Sequence, residues 1–137
     1  MFTKIKRIPI YYYLALGLLL FGYLANPTIA ATKSVALNIG DKSVYSDAAG
    51  APNRNSAYYT GESVKGTCSF GLYACSQING SFKLASNATY KGIKAGNKVT
   101  SRTISGYRYY KVRIVAGGDL IPDIQCNELG RARVYAD

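Results

Sequence analysis

The chain has 137 residues, with 17 Lys and Arg against 7 Asp and Glu, a formal net charge of +10 and no histidine. Without histidine it lacks the commonest general base, the Ser-His and Cys-His nucleophile pairs, and the usual zinc and copper ligand. Three loosely spaced carboxylates, Asp119, Asp123 and Glu128, are the glycosidase candidates, but we interpret them as turn acids that keep a basic protein soluble. The composition therefore predicts a protein that is not an enzyme and uses no metal or other cofactor.

Residues 1–31 have the organisation of a signal peptide. A basic start over 1–7 precedes an apolar stretch over 8–25, and small residues follow up to Ala30 and Ala31. We expect cleavage near Ala30 or Ala31. The alternative is an uncleaved membrane anchor, because the apolar run reaches the lower limit of roughly 18 residues for a spanning helix. The protein is expected to be secreted or periplasmic.

Residues 32–137 have the length of one domain. Helix signals are poor there, whereas strand signals recur at short spacing between turn residues. The strand signals lie at 35–39, 44–45, 58–59, 68–77, 82–84, 98–104, 107–115, 121–126 and 131–136. The segment between the second and third of these is predicted to be a loop, and a turn is predicted at Gly61. Roughly eight short, mostly antiparallel strands predict an all-β domain, a small sandwich or barrel.

The most regular strand precedes a hairpin signal at 78–80. Its apolar positions alternate with the others and define one face: Cys68, Phe70, Leu72 and Ala74. A three-residue loop at 78–80 would pair Ala74 with Leu84 and keep the apolar faces together. A two-residue turn would instead pair Cys75 with Leu84. We expect the three-residue loop, because a sheet with one buried face fixes its register in this way.

The chain has three cysteines, and export permits a disulfide between two of them. A continuous strand would separate Cys68 from Cys75 by more than about 20 Å and place them on opposite faces. The alternation of side chains along the predicted strands places Cys68 and Cys126 on core-facing positions and so favours Cys68–Cys126. This pairing leaves Cys75 as the free thiol. The pairs Cys68–Cys75 and Cys75–Cys126, and the absence of any bond, remain open because strand parity is a soft guide.

The cations are concentrated in residues 63–115, which contain nine Lys and Arg and no acid. Within the strand at 107–115, period-two alternation places Tyr107, Tyr109, Lys111 and Arg113 on one face and a core set on the other. Two rings beside two cations suit an anionic polymer with planar or saccharide units. The predicted binding face consists of Tyr107, Tyr109, Lys111, Arg113, Lys98, Arg102 and Lys83.

These observations predict a secreted or periplasmic, non-catalytic binding module for an anionic envelope polymer, a glycan or an acidic protein, of the inhibitor or antagonist type. Export argues against nucleic acid as the intended target. Membrane contact is expected only through the signal segment or electrostatically at the surface. The alternative is a secreted toxin or antimicrobial, or the cell-binding subunit of a larger toxin assembly.

Overall fold

A computed structural model describes residues 31–121 and 127–137. The predicted signal peptide, Cys126 and most of the strand predicted at 121–126 lie outside the described residues. The described part contains ten β-strands and no helix, and hence no helix that could cross a membrane. The strands are β1 (Ala31–Leu37), β2 (Ser43–Tyr45), β3 (Ala49–Gly50), β4 (Ser56–Lys65), β5 (Thr67–Cys75), β6 (Lys83–Lys94), β7 (Lys98–Thr100), β8 (Ile104–Ser105), β9 (Tyr109–Ala116) and β10 (Leu129–Ala136).

The strands form two antiparallel sheets of five strands each. In the back sheet the order is β1-β10-β4-β7, with β8 also paired to β4. In the front sheet the order is β2-β9-β5-β6, with β3 also paired to β9. Gly66, at φ +70°, turns the chain from β4 in one sheet into β5 in the other. The predicted all-β sandwich is confirmed.

The core lies between the two sheets and is built from their alternate positions. Its largest fully buried side chains are Tyr59, Tyr110, Phe70, Leu37, Leu72 and Ile114. Across the core, the Tyr59 hydroxyl donates a 3.2 Å hydrogen bond to the Phe70 carbonyl, and the two rings lie 6.5 Å apart. Burial of Tyr59 raises the pKa of its phenol, so the hydroxyl remains a neutral donor.

Three local predictions are wrong. The turn predicted at Gly61 is the middle of β4, where a Cβ atom would lie 2.8 Å from the Phe70 ring. Glycine is therefore needed there for close packing of the sheets rather than for a turn. The loop predicted after Tyr45 contains the short strand β3. β1 ends at Leu37, and Ile39, predicted to continue it, is 56% exposed.

The hairpin after β5 keeps the predicted core face but not the predicted register. Cys68, Phe70, Leu72 and Ala74 are all buried, as the alternation predicted. However, Leu84 pairs with Tyr73, and Ala74 pairs with Lys83. Neither the three-residue nor the two-residue loop gives these pairs, because β5 ends at Cys75 and β6 begins only at Lys83. Two register irregularities along β5 and β6 then shift the pairing further.

Cys68 and Cys75 are buried and are not bonded to each other, and they lie on opposite faces of one continuous β5. The continuity of the strand separates them, as predicted. Because Cys126 lies outside the described residues, its pairing with Cys68 stays a prediction.

Candidate functional site

Strand β9 divides its side chains between core and outer surface as the sequence predicts. Tyr110, Val112 and Ile114 are completely buried. The alternate residues Tyr109, Lys111 and Arg113 are half-buried on the outer surface of the front sheet. We call the part of this surface formed by Tyr45, Tyr73, Phe82, Tyr109, Lys111 and Arg113 the β9 face. Its rings come from β2, β5, β9 and the segment just before β6, which lie side by side in the sheet.

Arg113 is fixed by neighbours on both sides. Its two terminal nitrogens donate hydrogen bonds of 3.3 Å to the Tyr73 hydroxyl and 3.2 Å to the Ser43 hydroxyl. The guanidinium carbon lies 5.2 Å from the centre of the Tyr45 ring, within the range of a cation–π contact. Its Nε is buried and has no hydrogen-bond partner in the described part of the chain. The cation is thus held in one place by neutral groups.

The second cation of this surface is also held by an aromatic ring. Lys111 Nζ lies 4.5 Å from the centre of the Phe82 ring. Tyr45 and Tyr73 contact each other edge to face at 5.3 Å, which fixes the rings around Arg113. Desolvation by burial raises the pKa of the Tyr45 phenol, with a further contribution from Tyr73, so that this ring adds no negative charge at neutral pH.

Neither cation of the β9 face is paired with a carboxylate of the residues that the structure describes. Among residues 31–121 and 127–137, the ion pairs are Arg54–Asp137, Lys91–Asp119 and Arg131–Glu62. Lys111 and Arg113 appear in none of them. The β9 face therefore presents two uncompensated positive charges.

The other predicted binding residues are dispersed. Lys98 lies on β7 and Arg102 follows that strand, so both belong to the back sheet region. Lys83 pairs with the core residue Ala74, which places its Cβ on the opposite side of the front sheet from Lys111. Tyr107 precedes β9 and packs edge to face on the Tyr110 ring at 6.3 Å. The charge block in the sequence is therefore not one continuous surface.

A second concave surface, not predicted from the sequence, crosses the back sheet. This back groove has a volume of about 710 Å³. Cross-strand pairing arranges its outward side chains in three parallel rows. The rows are Ala36–Arg131–Glu62–Lys98, Ser34–Arg133–Thr60–Thr100 and Thr32–Tyr135–Tyr58. The signal was present in the predicted strand "RARVYA", whose alternation puts Arg131, Arg133 and Tyr135 on one face.

The charges of the back groove are ordered by side-chain contacts. Arg131 Nε donates a 2.6 Å hydrogen bond to Glu62 Oε2. This bond lowers the pKa of the Glu62 carboxyl, and the positive charges of Arg131 and Lys98 contribute. Arg133 Nε donates a 3.0 Å bond to the Ser34 hydroxyl, and no carboxylate of the described residues pairs with its guanidinium. At one end Tyr58 and Tyr135 stack at 4.9 Å.

Two further reactive side chains, Cys68 and Glu128, lie near each other close to the starts of β5 and β10. Burial raises the pKa of the Cys68 thiol, which makes it a poor nucleophile at neutral pH. The nearby Glu128 is buried, and its Oε2 has no partner in the described part of the chain. No group of three His, Cys, Asp or Glu side chains among the described residues could hold a metal ion.

Comparison with known proteins gives weak similarities to solved structures. No family model matches the chain, and no curated protein is significantly similar to it. The crystal structure of PirA is similar with a TM-score of 0.49 and 8% identity, covering 82% of this chain and 99% of that one. A chain of infectious bursal disease virus strain Gx is similar with a TM-score of 0.38 and 14% identity, covering 79% of this chain and 31% of the viral one. A proposal of function therefore depends on this chain's own residues.

Proposed function

We propose that the protein is a non-catalytic binding module that holds an anionic polymer on its β9 face. The observation that carries this proposal is the position of Arg113, which is fixed between Tyr73, Ser43 and Tyr45 and has no carboxylate partner in the described part of the chain. A cation that is already held in place loses little side-chain entropy when it meets an anion. Lys111, held over Phe82, supplies a second such charge on the same surface.

The aromatic rings between the cations favour a polymer over a free ion. Tyr45 is 48% exposed, so its ring can stack on a planar or saccharide unit while Arg113 contacts the adjoining anion. The signal peptide predicted at 1–31 would place the module outside the cytoplasm. There, envelope polymers and glycans are the abundant polyanions, and acidic proteins are the competing partners.

Chromatography on immobilised dextran sulfate tests the proposal. We expect the protein to be retained up to about 0.5 M salt and to elute earlier as salt rises, since exposed charges are screened over roughly 8 Å at physiological ionic strength. The double variant Lys111→Gln/Arg113→Gln should elute well before the wild type. Lys33→Gln/Lys65→Gln removes the same charge from two exposed positions elsewhere and should elute close to the wild type.

Two results would contradict the proposal. One is passage of the wild-type protein straight through the column at low salt. The other is equal elution of the two double variants, which would mean that net charge alone, rather than the β9 face, determines retention. Melting temperatures of both variants confirm that they are folded.

A further inference from the structure

The back groove has the composition of a second binding site with a different chemistry from the β9 face. It lies on the outer surface of the other sheet. Each of its rows crosses three or four strands, and strands are spaced about 4.8 Å apart. The four-strand rows therefore span about 14 Å. With its volume of about 710 Å³, the groove is in the size range of small-molecule sites.

The middle row places one arginine, a partner for an anionic group, among hydroxyl side chains. Arg133 is directly paired with Ser34 on one side and Thr60 on the other, and Thr60 is paired with Thr100. The Ser34 hydroxyl accepts from Arg133 Nε, which leaves both terminal nitrogens of the guanidinium for a ligand. A planar guanidinium binds a carboxylate or sulfate through two parallel hydrogen bonds. The threonine hydroxyls beside it can donate to or accept from ligand hydroxyls.

The neighbouring row carries a carboxylate that a general polyanion site would lack. Glu62 is held by Arg131 and lies between Arg131 and Lys98 in the cross-strand register. A carboxylate repels dense polyanions such as polyphosphate, but it is a strong acceptor for ligand hydroxyls. The row therefore suits a ligand in which hydroxyls outnumber anionic groups.

The third row supplies an aromatic surface at the end of the groove. Tyr135 lines the groove and stacks on Tyr58 with an angle of 14° between the rings. The stacked pair holds the Tyr135 ring in place at the groove wall. Its exposed part can pack against the apolar face of a saccharide ring.

From these three rows we infer that the back groove binds an acidic oligosaccharide, with Arg133 on its carboxylate or sulfate, Glu62 on its hydroxyls and Tyr135 against a sugar ring. The site is separate from the β9 face, and the inference goes beyond the proposed function. It concerns a discrete oligosaccharide rather than an extended polyanion.

The test is a panel of immobilised oligosaccharides containing uronic, sialic or sulfated units, each beside its neutral counterpart. We expect the wild-type protein to bind acidic members of the panel and not the neutral ones. Arg133→Gln should weaken this binding by roughly tenfold or more, since it removes a charged hydrogen-bonding partner of the ligand. Arg108→Gln, at an exposed position outside the groove, is the matched control and should bind like the wild type.

Glu62→Gln separates saccharide recognition from a simple basic patch. If Glu62 accepts ligand hydroxyls, Glu62→Gln should weaken binding of the acidic oligosaccharides. If the groove is only a basic patch, loss of the negative charge should leave their binding equal or tighter. Equal or tighter binding by Glu62→Gln would overturn the inference. Binding of no acidic member of the panel would also overturn it. So would loss of panel binding in Lys111→Gln/Arg113→Gln but not in Arg133→Gln, a result that would leave the proposed polyanion function intact.

Discussion

The hydroxyl of Tyr110 donates a 2.7 Å hydrogen bond to the carbonyl of Asn55. The same oxygen lies 3.2 Å from the Ile104 carbonyl and accepts the Tyr107 N–H at 3.2 Å. Asn55 has a positive φ of 49°, the one such value for a non-glycine residue among the described positions. One buried side chain of β9 therefore joins two other parts of the chain, the turn at Asn55 and the segment 104–107.

Tyr110→Phe should destabilise the domain by about 1 kcal/mol, because it removes the hydrogen bonds between the Tyr110 hydroxyl and part-buried backbone groups. For a domain of this size, each kcal/mol lowers the melting temperature by roughly 4–8 °C. Thermal unfolding followed by circular dichroism measures the effect. Tyr107→Phe, at a residue that is 40% exposed, is the control and should melt close to the wild type. Equal melting temperatures of the two variants would refute the structural role of the Tyr110 hydroxyl.

Gly61→Ala should destabilise the sandwich by about 1–3 kcal/mol through overpacking. Its new methyl group would lie 2.8 Å from the Phe70 ring, which is itself completely buried and has little room to move. Gly118→Ala is the matched control, since a Cβ atom there meets nothing within 4 Å. Urea unfolding of both variants gives the comparison. A Gly61→Ala protein as stable as Gly118→Ala would show that the sheets are not in close contact at this point.

The carboxyl of Glu62 should titrate below its ordinary value of 4.5, because the Arg131 hydrogen bond favours the charged form. A lowered folded-state pKa means that the pair's contribution to stability is fully present above the unfolded-state value and is lost as the pH falls through the folded-state value. The pair is exposed, so the contribution is small. Carbon NMR of the Glu62 carboxyl measures the pKa directly. Arg131→Gln should raise it toward the ordinary value, and an unchanged titration would show that the pair does not form in solution.

In the reduced protein, the thiols of Cys68 and Cys75 should react with iodoacetamide only after denaturation, because both are buried and burial raises the pKa of Cys68. Mass spectrometry of protein alkylated before and after unfolding counts the reactive thiols. Peptide mapping of the non-reduced protein tests the predicted Cys68–Cys126 bond. Rapid alkylation of Cys68 in the folded protein would contradict its burial.

Local patterns predicted the parts of the fold that depend on one strand at a time. The alternation in β9 correctly divided buried from half-buried residues over 109–114, because a half-buried strand repeats every two residues. In β5 it identified the core face, but the other face is largely buried as well, at Ser69, Gly71 and Cys75. The β5–β6 register was not predictable, since the irregularities that shift it near Phe70 and Tyr73 leave no simple signal in a single sequence. Gly61 was misread for a related reason: its close neighbour, Phe70, belongs to the other sheet.

The candidate sites show the same contrast between features that depend on one strand and features that depend on pairing between distant strands. The part of the β9 face that lies on β9 followed from alternation, whereas Tyr45 and Tyr73 join it through pairing with distant strands. Every row of the back groove requires β10 to lie between β1 and β4. Such non-local pairing is not contained in the spacing of residues along the chain, so the charge block at 63–115 pointed to a single surface that the fold divides.

The position of β10 also governs when the domain can fold. Its neighbours β1 and β4 are synthesised long before it, yet they cannot join into one sheet until β10 is available to pair with both. A chain that lacks β10 therefore cannot complete the back sheet, and the core-facing sides of β1 and β4 stay uncovered. Exposed apolar surface and unpaired strand edges of this kind favour aggregation.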